Sequence, residues 1–313
     1  MISVGIDISK KKIDIWMDNK LVTLVNEQES IEKYFTPLKQ QRLKIVMEAT
    51  GRYHRISHTI LAQLGFDVMV INPFQSRHFA KSMNVLCKTD KVDAKILCEY
   101  AQRMEFKSTP LLSSSESELR DLVRHLDDLK GILQQYQQRL EDAEGFSSTS
   151  LQRLIQNIKT EIKTTEKEIE TIIKSDKSLL HRRNLLITVP GIGKTTAAAI
   201  IGLVSEIGKI SNREIAALAG LAPMNFDSGG FKGKRRIQKG RHDLRRFLYM
   251  PCVGAATQHN KSLKALYKRL IEKGKPAKVA LAACMRKLLI YANATLKQGT
   301  EWQLYEKNYV GVA

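Results

Sequence analysis

The sequence predicts an α/β first third followed by a mostly α remainder. Three observations carry this. Residues 2–108 open with three short β-branched runs and then alternate helical and strand-like stretches. Residues 114–180 carry apolar residues at alternating spacings of three and four within a Lys-, Glu- and Gln-rich background, the mark of coiled-coil helices. From Leu185 the chain turns to Ala-, Gly- and Lys-rich segments that read as further helices around a glycine-rich loop. The expected divisions are residues 1–108, 109–182 and 183–313.

In residues 2–8, Val4, Ile6 and Ile8 alternate with Gly5 and Asp7, as in a strand with two unlike faces. Lys10–Lys12 turn the chain into strands at Ile13–Met17 and Leu21–Asn26, joined by Asp18-Asn19-Lys20. Residues 29–38 read as a helix, and Leu43–Met47 as a buried strand ending at Glu48. A-T-G-R-Y-H-R leads into a helix reaching about Leu64, which Gly65 stops. Asp67–Ile71 is a strand, and Pro73 opens a helix. Lys88–Leu97 lies on another, running to about Met104, with Thr89 or Asp90 as its cap. This is the order of a ribonuclease H-like fold, a mixed sheet whose first and fourth strands are neighbours. Asp7 and Glu48 would then stand side by side.

Leu119, Leu122, Leu126, Leu129, Leu133, Tyr136 and Leu140 form one seam; Leu151, Ile155, Ile158, Ile162, Thr165, Ile169 and Ile172 form a second. G-F-S-S-T-S separates them, so two helices forming a coiled-coil hairpin or a dimer seam are expected. Beyond Leu185 come the turn P-G-I-G between apolar helices, a helix over Asn212–Ala219, and Ala- and Lys-rich helices interrupted at Gly274 and Pro276. The last residues, through Ala313, read as a tail.

Fifty-one basic against 32 acidic residues leave a formal charge of +19. Such an excess points to a polyanionic partner, nucleic acid before a membrane surface. No lipidation signal, secretory leader or apolar run of spanning length is visible, and a cytoplasmic protein is expected. Cys87, Cys98, Cys252 and Cys284 lack metal-ligand spacing and read as reduced thiols.

Four motifs bear on chemistry. G-I-G-K-T-T lacks the early glycine of a nucleotide-binding phosphate loop, since Thr188 stands at that position. It reads equally as a packed glycine turn or as a helix-hairpin-helix-like element in which Gly191, Gly193 and Lys194 approach a phosphate backbone. The run Lys232, Lys234, Arg235, Arg236, Lys239, Arg241, Arg245 and Arg246 faces one acid, Asp243, and is interleaved with glycine, as a phosphate-binding loop would be. Ser228 in D-S-G-G is a turn residue or a hydroxyl exposed beside cations. Asp90 and Asp93, three apart, share a helix face. Alone they read as an acidic first turn favoured by the helix dipole. With Asp7 and Glu48 beside them they become four carboxylates whose mutual repulsion calls for a divalent cation, and hard oxygen donors select Mg²⁺ or Mn²⁺. Lys88 and Lys91 then read as phosphate contacts.

G-I-D-I-S-K, M-E-A-T-G-R-Y, K-T-D-K-V-D-A, V-P-G-I-G and S-G-G-F-K-G-K-R-R-I-Q-K-G-R, in this order, resemble the DEDD transposases of bacterial insertion sequences, the IS-one-ten family. These are similar to RuvC Holliday-junction resolvases in their N-terminal domain. The resemblance implies that Asp7, Glu48, Asp90 and Asp93 bind metal. It also implies that Ser228 is a nucleophile forming a covalent bond to a DNA phosphate. It implies a recombinase acting on donor and target DNA, guided by an element-encoded bridge RNA. A homo-oligomer, dimer or tetramer, is expected, because strand exchange needs several active sites. The alternatives are a RuvC-like nuclease that activates water, and a non-catalytic nucleic-acid-binding protein.

Overall fold

The chain divides into two units, Met1–Leu111 and Leu112–Ala313. The computed structural model describes residues 1–85, 89–225, 227–228, 230–233 and 236–302, with the backbone alone at Asp90, Asp227, Ser228, Phe231 and Lys232.

β1 (Ile2–Ile8) is the middle strand of a five-stranded sheet whose remaining members are β2 (Lys12–Met17), β3 (Lys20–Val25), β4 (Leu43–Glu48) and β5 (Asp67–Ile71), in the order β3-β2-β1-β4-β5. β1, β2 and β3 are antiparallel neighbours, and β4 and β5 continue the sheet in parallel. This arrangement is consistent with a ribonuclease H-like transposase domain. The β2–β3 turn is two residues rather than three. Asp18 and Asn19 both take positive φ, so Met17 pairs directly with Lys20 as a primed hairpin turn requires.

The two faces of the sheet are unlike. On one, Val4, Ile6, Ile8, Ile13, Ile15, Ile45 and Met47 pack with Ile31 and Phe35 of α1 (Gln28–Phe35) and Ile60 and Leu61 of α2 (His54–Gln63). On the other, Val46 and Ile71 meet Leu97, Tyr100 and Ala101 of α4 (Asp90–Arg103), which follows α3 (Pro73–Ser82). Strand alternation sends every second side chain to each face, so Gly5, Asp7 and Glu48 belong to the α4 side.

The second unit begins with α5 (Ser114–Glu141), capped reciprocally by Ser113 and Glu116, and α6 (Gly145–Ser175). The break between them is not G-F-S-S-T-S. Glu144 is extended and ends the turn, while the Ser/Thr run enters the helix, with the Thr149 hydroxyl donating to the Gly145 carbonyl at 3.3 Å. Both seams lie within one chain. Leu119, Val123 and Leu126 join Ile169, Ile172 and Ile173 in the unit's core. Around them stand α7 (Lys177–Ile187), α8 (Lys194–Leu203), α9 (Asn212–Leu218), α10 (His242–Gly254), α11 (Lys261–Glu272) and α12 (Ala277–Gln298), with a π turn at Ala255–His259. Cys98, Cys252 and Cys284 are free and buried, and burial pushes the Cys252 thiol up to about 12.

Contrary to the expectation that no apolar run reaches spanning length, α12 is long and apolar enough to cross a membrane. Its Leu281, Cys284, Met285, Leu288 and Leu289 are instead buried in the core of the second unit. The run was hidden in the sequence by Arg286 and Lys287, which interrupt it.

Candidate active site and nucleic-acid surface

The acidic corner of the first unit is built by strand register. Ile6 pairs with Met47, so the next positions, Asp7 near the end of β1 and Glu48 at the end of β4, lie on neighbouring parallel strands about 4.8 Å apart. α4 runs antiparallel to β1 across the same face. The Cys98 thiol donates to the Ser3 carbonyl at 3.2 Å, and the helix backbone rests on Gly5. A Cβ at Gly5 would stand 2.0 Å from the Ala94 carbonyl oxygen and 2.3 Å from the Cys98 nitrogen, so the helix comes this close only because residue 5 is glycine. Cys98 at Ser3 and Ala94 at Gly5 put the first turn of α4, with Asp93 and the Asp90 backbone, toward Asp7. Thr89 caps that turn, accepting from the Val92 N–H at 3.3 Å.

Asp7 and Asp93 are half-buried. The Asp7 Oδ1 accepts from the Ile8 N–H at 3.0 Å, and the buried Ser76 donates to Glu48 Oε2 at 2.5 Å. Among the described residues no three of His, Cys, Asp or Glu form a group able to hold an ion, and the Asp90 side chain lies outside them. Asp7, Glu48 and Asp93 carry carboxylate oxygens, the kind of donor a hard divalent cation takes.

Sequence reasoning overlooked Asp14. It pairs directly with Asp7 across β1–β2 and with Thr23 across β2–β3, so all three side chains share one face. Asp14 is buried, accepts from the Thr23 hydroxyl at 2.5 Å and is met by Lys12 Nζ at 3.1 Å. The sign was present in the sequence, because Ile13-Asp14-Ile15 repeats the pattern of Ile6-Asp7-Ile8.

Lys88 lies outside the described residues. Lys91 is exposed, with its Nζ 5.9 Å from the centre of the Trp16 ring, and Lys95 stands over the same ring at 5.8 Å.

In the second unit Ser228 ends β6 (Asp227–Ser228), which pairs with β7 (Phe231–Lys232) so that Ser228 opposes Phe231. Only the two residues Gly229-Gly230 separate them, the composition of a two-residue hairpin loop. A separate antiparallel bridge joins Met224 to Arg236. Lys234 and Arg235 lie outside the described residues, as does the Lys232 side chain, while Arg236 and Lys239 are exposed.

The end of the basic run is tied into the protein. Arg241 donates to both Glu206 oxygens, at 2.7 and 2.9 Å, and to the Leu203 carbonyl at 2.7 Å. Burial pushes the Glu206 carboxyl up, but hydrogen bonds and charge from Arg241 outweigh it and hold the group below its ordinary value. Arg245 donates to the Ala219 carbonyl at 2.9 Å and to that of Lys239, and Arg246 pairs with Asp127 of α5. Gly220 and Gly240 meet backbone to backbone at the base of this loop. A Cβ at Gly220 would lie 2.0 Å from the Lys239 oxygen.

The two glycines of P-G-I-G differ. Gly191 has φ +101°, and a Cβ there would stand 2.3 Å from the Ala255 Cβ, so its role is close packing. Gly193, at the N-cap of α8, has open space around it, with Lys194 exposed beside it.

Comparison with known proteins identifies the family. The family model for DEDD transposases of the IS110 group, described as "Transposase", matches residues 4–143, and that for "Transposase IS116/IS110/IS902 family" matches residues 183–268. The chain is 27% identical to the "Pilin gene-inverting protein" of Moraxella bovis and to that of Moraxella lacunata, each alignment covering 94% of this chain and 95% of the relative. The two family models and the relatives make the protein a DNA transposase or recombinase enzyme. The chain belongs to the IS110 family of transposases, whose DEDD domain points to the use of divalent metal.

Proposed function

We propose that the protein is a Mg²⁺-dependent recombinase of an insertion sequence that cleaves and exchanges DNA strands through a covalent phosphoserine link. The first unit then serves as a RuvC-like domain whose Asp7, Glu48, Asp90 and Asp93 hold the ions. The observation that supports this reading is the register of β1 on β4 beneath α4, which sets Asp7 and Glu48 on adjacent strands with the α4 backbone packed on Gly5. A divalent ion held there would neutralise the phosphate and the charge that develops in displacement. Mn²⁺ is the natural substitute.

Ser228 is the proposed nucleophile. Its Oγ forms a bond to phosphorus as one strand P–O bond breaks, and the departing strand hydroxyl takes up the proton the serine releases. The phosphodiester energy is kept in the protein–DNA bond, so rejoining needs no nucleotide hydrolysis. Support comes from the place of Ser228, at the end of β6 and four residues before the cation-rich run that begins at Lys232 and continues through Arg236 and Lys239. Lys88, Lys91, Lys194, Lys232, Lys234, Arg235, Arg236 and Lys239 are assigned to nucleic-acid backbones. Arg241 and Arg245 are assigned instead to holding the loop. A bridge RNA pairing with donor and target DNA would supply sequence choice, leaving the protein to read shape and phosphates. The relatives are named for inverting a pilin gene, which agrees with recombination as the outcome.

Denaturing gels test the chemistry. The wild-type protein, with Mg²⁺ and its DNA, should yield a covalent adduct that maps to Ser228. Ser228→Ala should abolish the adduct while Mn²⁺ binding, followed by electron paramagnetic resonance, persists. Intact cleavage by Ser228→Ala would establish a water-activating nuclease instead. Asp7→Asn should lower the cleavage rate about 10³-fold, the equivalent of several kcal/mol of lost charge stabilisation, and weaken Mn²⁺ binding.

A further inference from the structure

The second unit carries a basic surface separate from the loop that follows Ser228. Residues 261–278 hold Lys261, Lys264, Lys268, Arg269, Lys273, Lys275 and Lys278 against one acid, Glu272. They cover α11 and the turn into α12, and all seven cations are exposed. We infer that this face is a docking surface for the phosphate backbone of duplex DNA, distinct from the Ser228 loop.

The condition of these cations argues for it. Arg241, Arg245 and Arg246 are each held by a carboxylate or a carbonyl of the protein. Along 261–278 the described residues show one ion pair, Lys268 to Glu272 at 3.8 Å, and both partners are largely exposed. A protein that leaves so much positive charge uncompensated accepts self-repulsion, which a polyanion would relieve. Lys261, Lys264 and Lys268 recur at helical spacings of three and four, which sets them along one face of a helix about 18 Å long.

The same helix argues against a membrane. An amphipathic basic helix binds bilayers through its apolar face. Here that face is occupied, with Leu263 buried and Leu266 and Tyr267 packed on the core of the second unit. The surface is also poor in the side chains that read bases, with Arg269 its one guanidinium among the described residues 261–278. Its cations are mostly lysines, point charges on flexible stems, and the amide that begins α11, Asn260, is buried and caps the helix by accepting from the Leu263 N–H at 3.1 Å. Contacts of this kind hold a duplex without choosing its sequence. Duplex DNA is the fitting polyanion for an enzyme that acts on DNA. The inference rests on that activity and not on the serine mechanism.

The test is binding of the full chain to a 40-base-pair duplex of random sequence in EDTA, followed by fluorescence anisotropy over a series of salt concentrations. Neutralising Lys261, Lys264, Lys268 and Lys275 together to Gln should weaken binding more than tenfold at 0.1 M salt. It should also lower the slope of log K against log salt by up to about 3.6, at roughly 0.9 for each of the four phosphate contacts. The Lys→Arg quadruple variant should bind as the wild type does, and circular dichroism should show both variants folded. An unchanged slope on duplex DNA overturns the inference. So does a loss confined to a structured RNA, which would assign the face to RNA. Because no cleavage is measured, failure here leaves the covalent serine step standing, and failure of Ser228→Ala to abolish the adduct leaves this face standing.

Discussion

The two units place their candidate chemistry by opposite means. In the first, the acidic positions sit on the ends of paired strands and on a helix pressed directly onto the sheet, so their spacing follows from main-chain ladders. In the second, Ser228 ends a two-residue strand, and the loop beyond it is anchored by long side chains, Arg241 on Glu206 and Arg245 on two carbonyls. A carboxylate cluster tolerates little error, because ligand distances vary by tenths of an ångström in a working metal site. A nucleophile that must reach a phosphate and later release it is served by a support that can give. Position by backbone therefore suits the proposed metal corner, and position by side chain suits the loop of the proposed nucleophile.

The largest test of this contrast is Gly5→Ala. Its Cβ would enter the Ala94–Cys98 backbone, which has no flexible end to yield, so α4 must lift from β1. We expect a loss of about 3 kcal/mol in urea unfolding, at the upper end of overpacking costs, with Mn²⁺ affinity lost at the same time. Retained metal binding would separate the carboxylates from the seating of α4.

Within the second unit the two glycines of P-G-I-G split in the same way. Gly191→Ala places a methyl on Ala255 at a positive φ and should cost about 2 kcal/mol. Gly193→Ala meets nothing within 4 Å and should change stability by less than about 0.5 kcal/mol. If main-chain N–H groups at the start of α8 hold a phosphate, Gly193→Ala weakens DNA binding in anisotropy measurements without unfolding. Equal DNA affinity in wild type and variant would make P-G-I-G a packing turn alone.

Arg241→Ala should cost about 1–2 kcal/mol, between the values for exposed and buried pairs, since both partners are about a third exposed. The Glu206 carboxyl sits below its ordinary value in the folded protein, so the pair's contribution is complete at neutral pH. It is lost as pH falls below the ordinary carboxylate range through the folded value. Acid unfolding curves of the wild type and Arg241→Ala should therefore converge at low pH. A gap that stays constant down to pH 3 would show that packing of the guanidinium, rather than its charge, carries the effect.

These expectations also mark how far the sequence could be read. Periodicity and turn residues were enough for the strands and helices of the first unit. The side-by-side placement of Asp7 and Glu48 followed from the strand order, because a parallel β1–β4 pair leaves little freedom of register. Asp14 shows in the sequence only as the repeat of Ile6-Asp7-Ile8 in Ile13-Asp14-Ile15, and its place opposite Asp7 depends on the β1–β2 register. The division of the basic run into anchoring arginines and exposed cations was invisible for a similar reason, since Glu206, Ala219 and Asp127 are distant in sequence. α12 was misjudged because two charges interrupt its apolar stretch in the chain while its core face remains continuous in the fold.

The smallest expected effect concerns Lys91, on the border between anchoring and binding. Its ammonium stands over the Trp16 ring at an exposed position, an interaction worth about 0.5 kcal/mol. Lys95 shares the ring from one turn further on, so Lys91→Ala leaves Trp16 one cation and should barely move the unfolding midpoint. If Lys91 also meets a phosphate, the salt slope for DNA binding falls by about 0.9 in Lys91→Ala. Lys95→Ala is the comparison, with the same ring contact but a position one turn farther from Asp7. A slope change in Lys91→Ala alone would place the DNA backbone at the first turn of α4, where the carboxylates are. Equal changes in both variants would describe a diffuse field around the helix, and no change in either would leave both lysines as partners of the tryptophan.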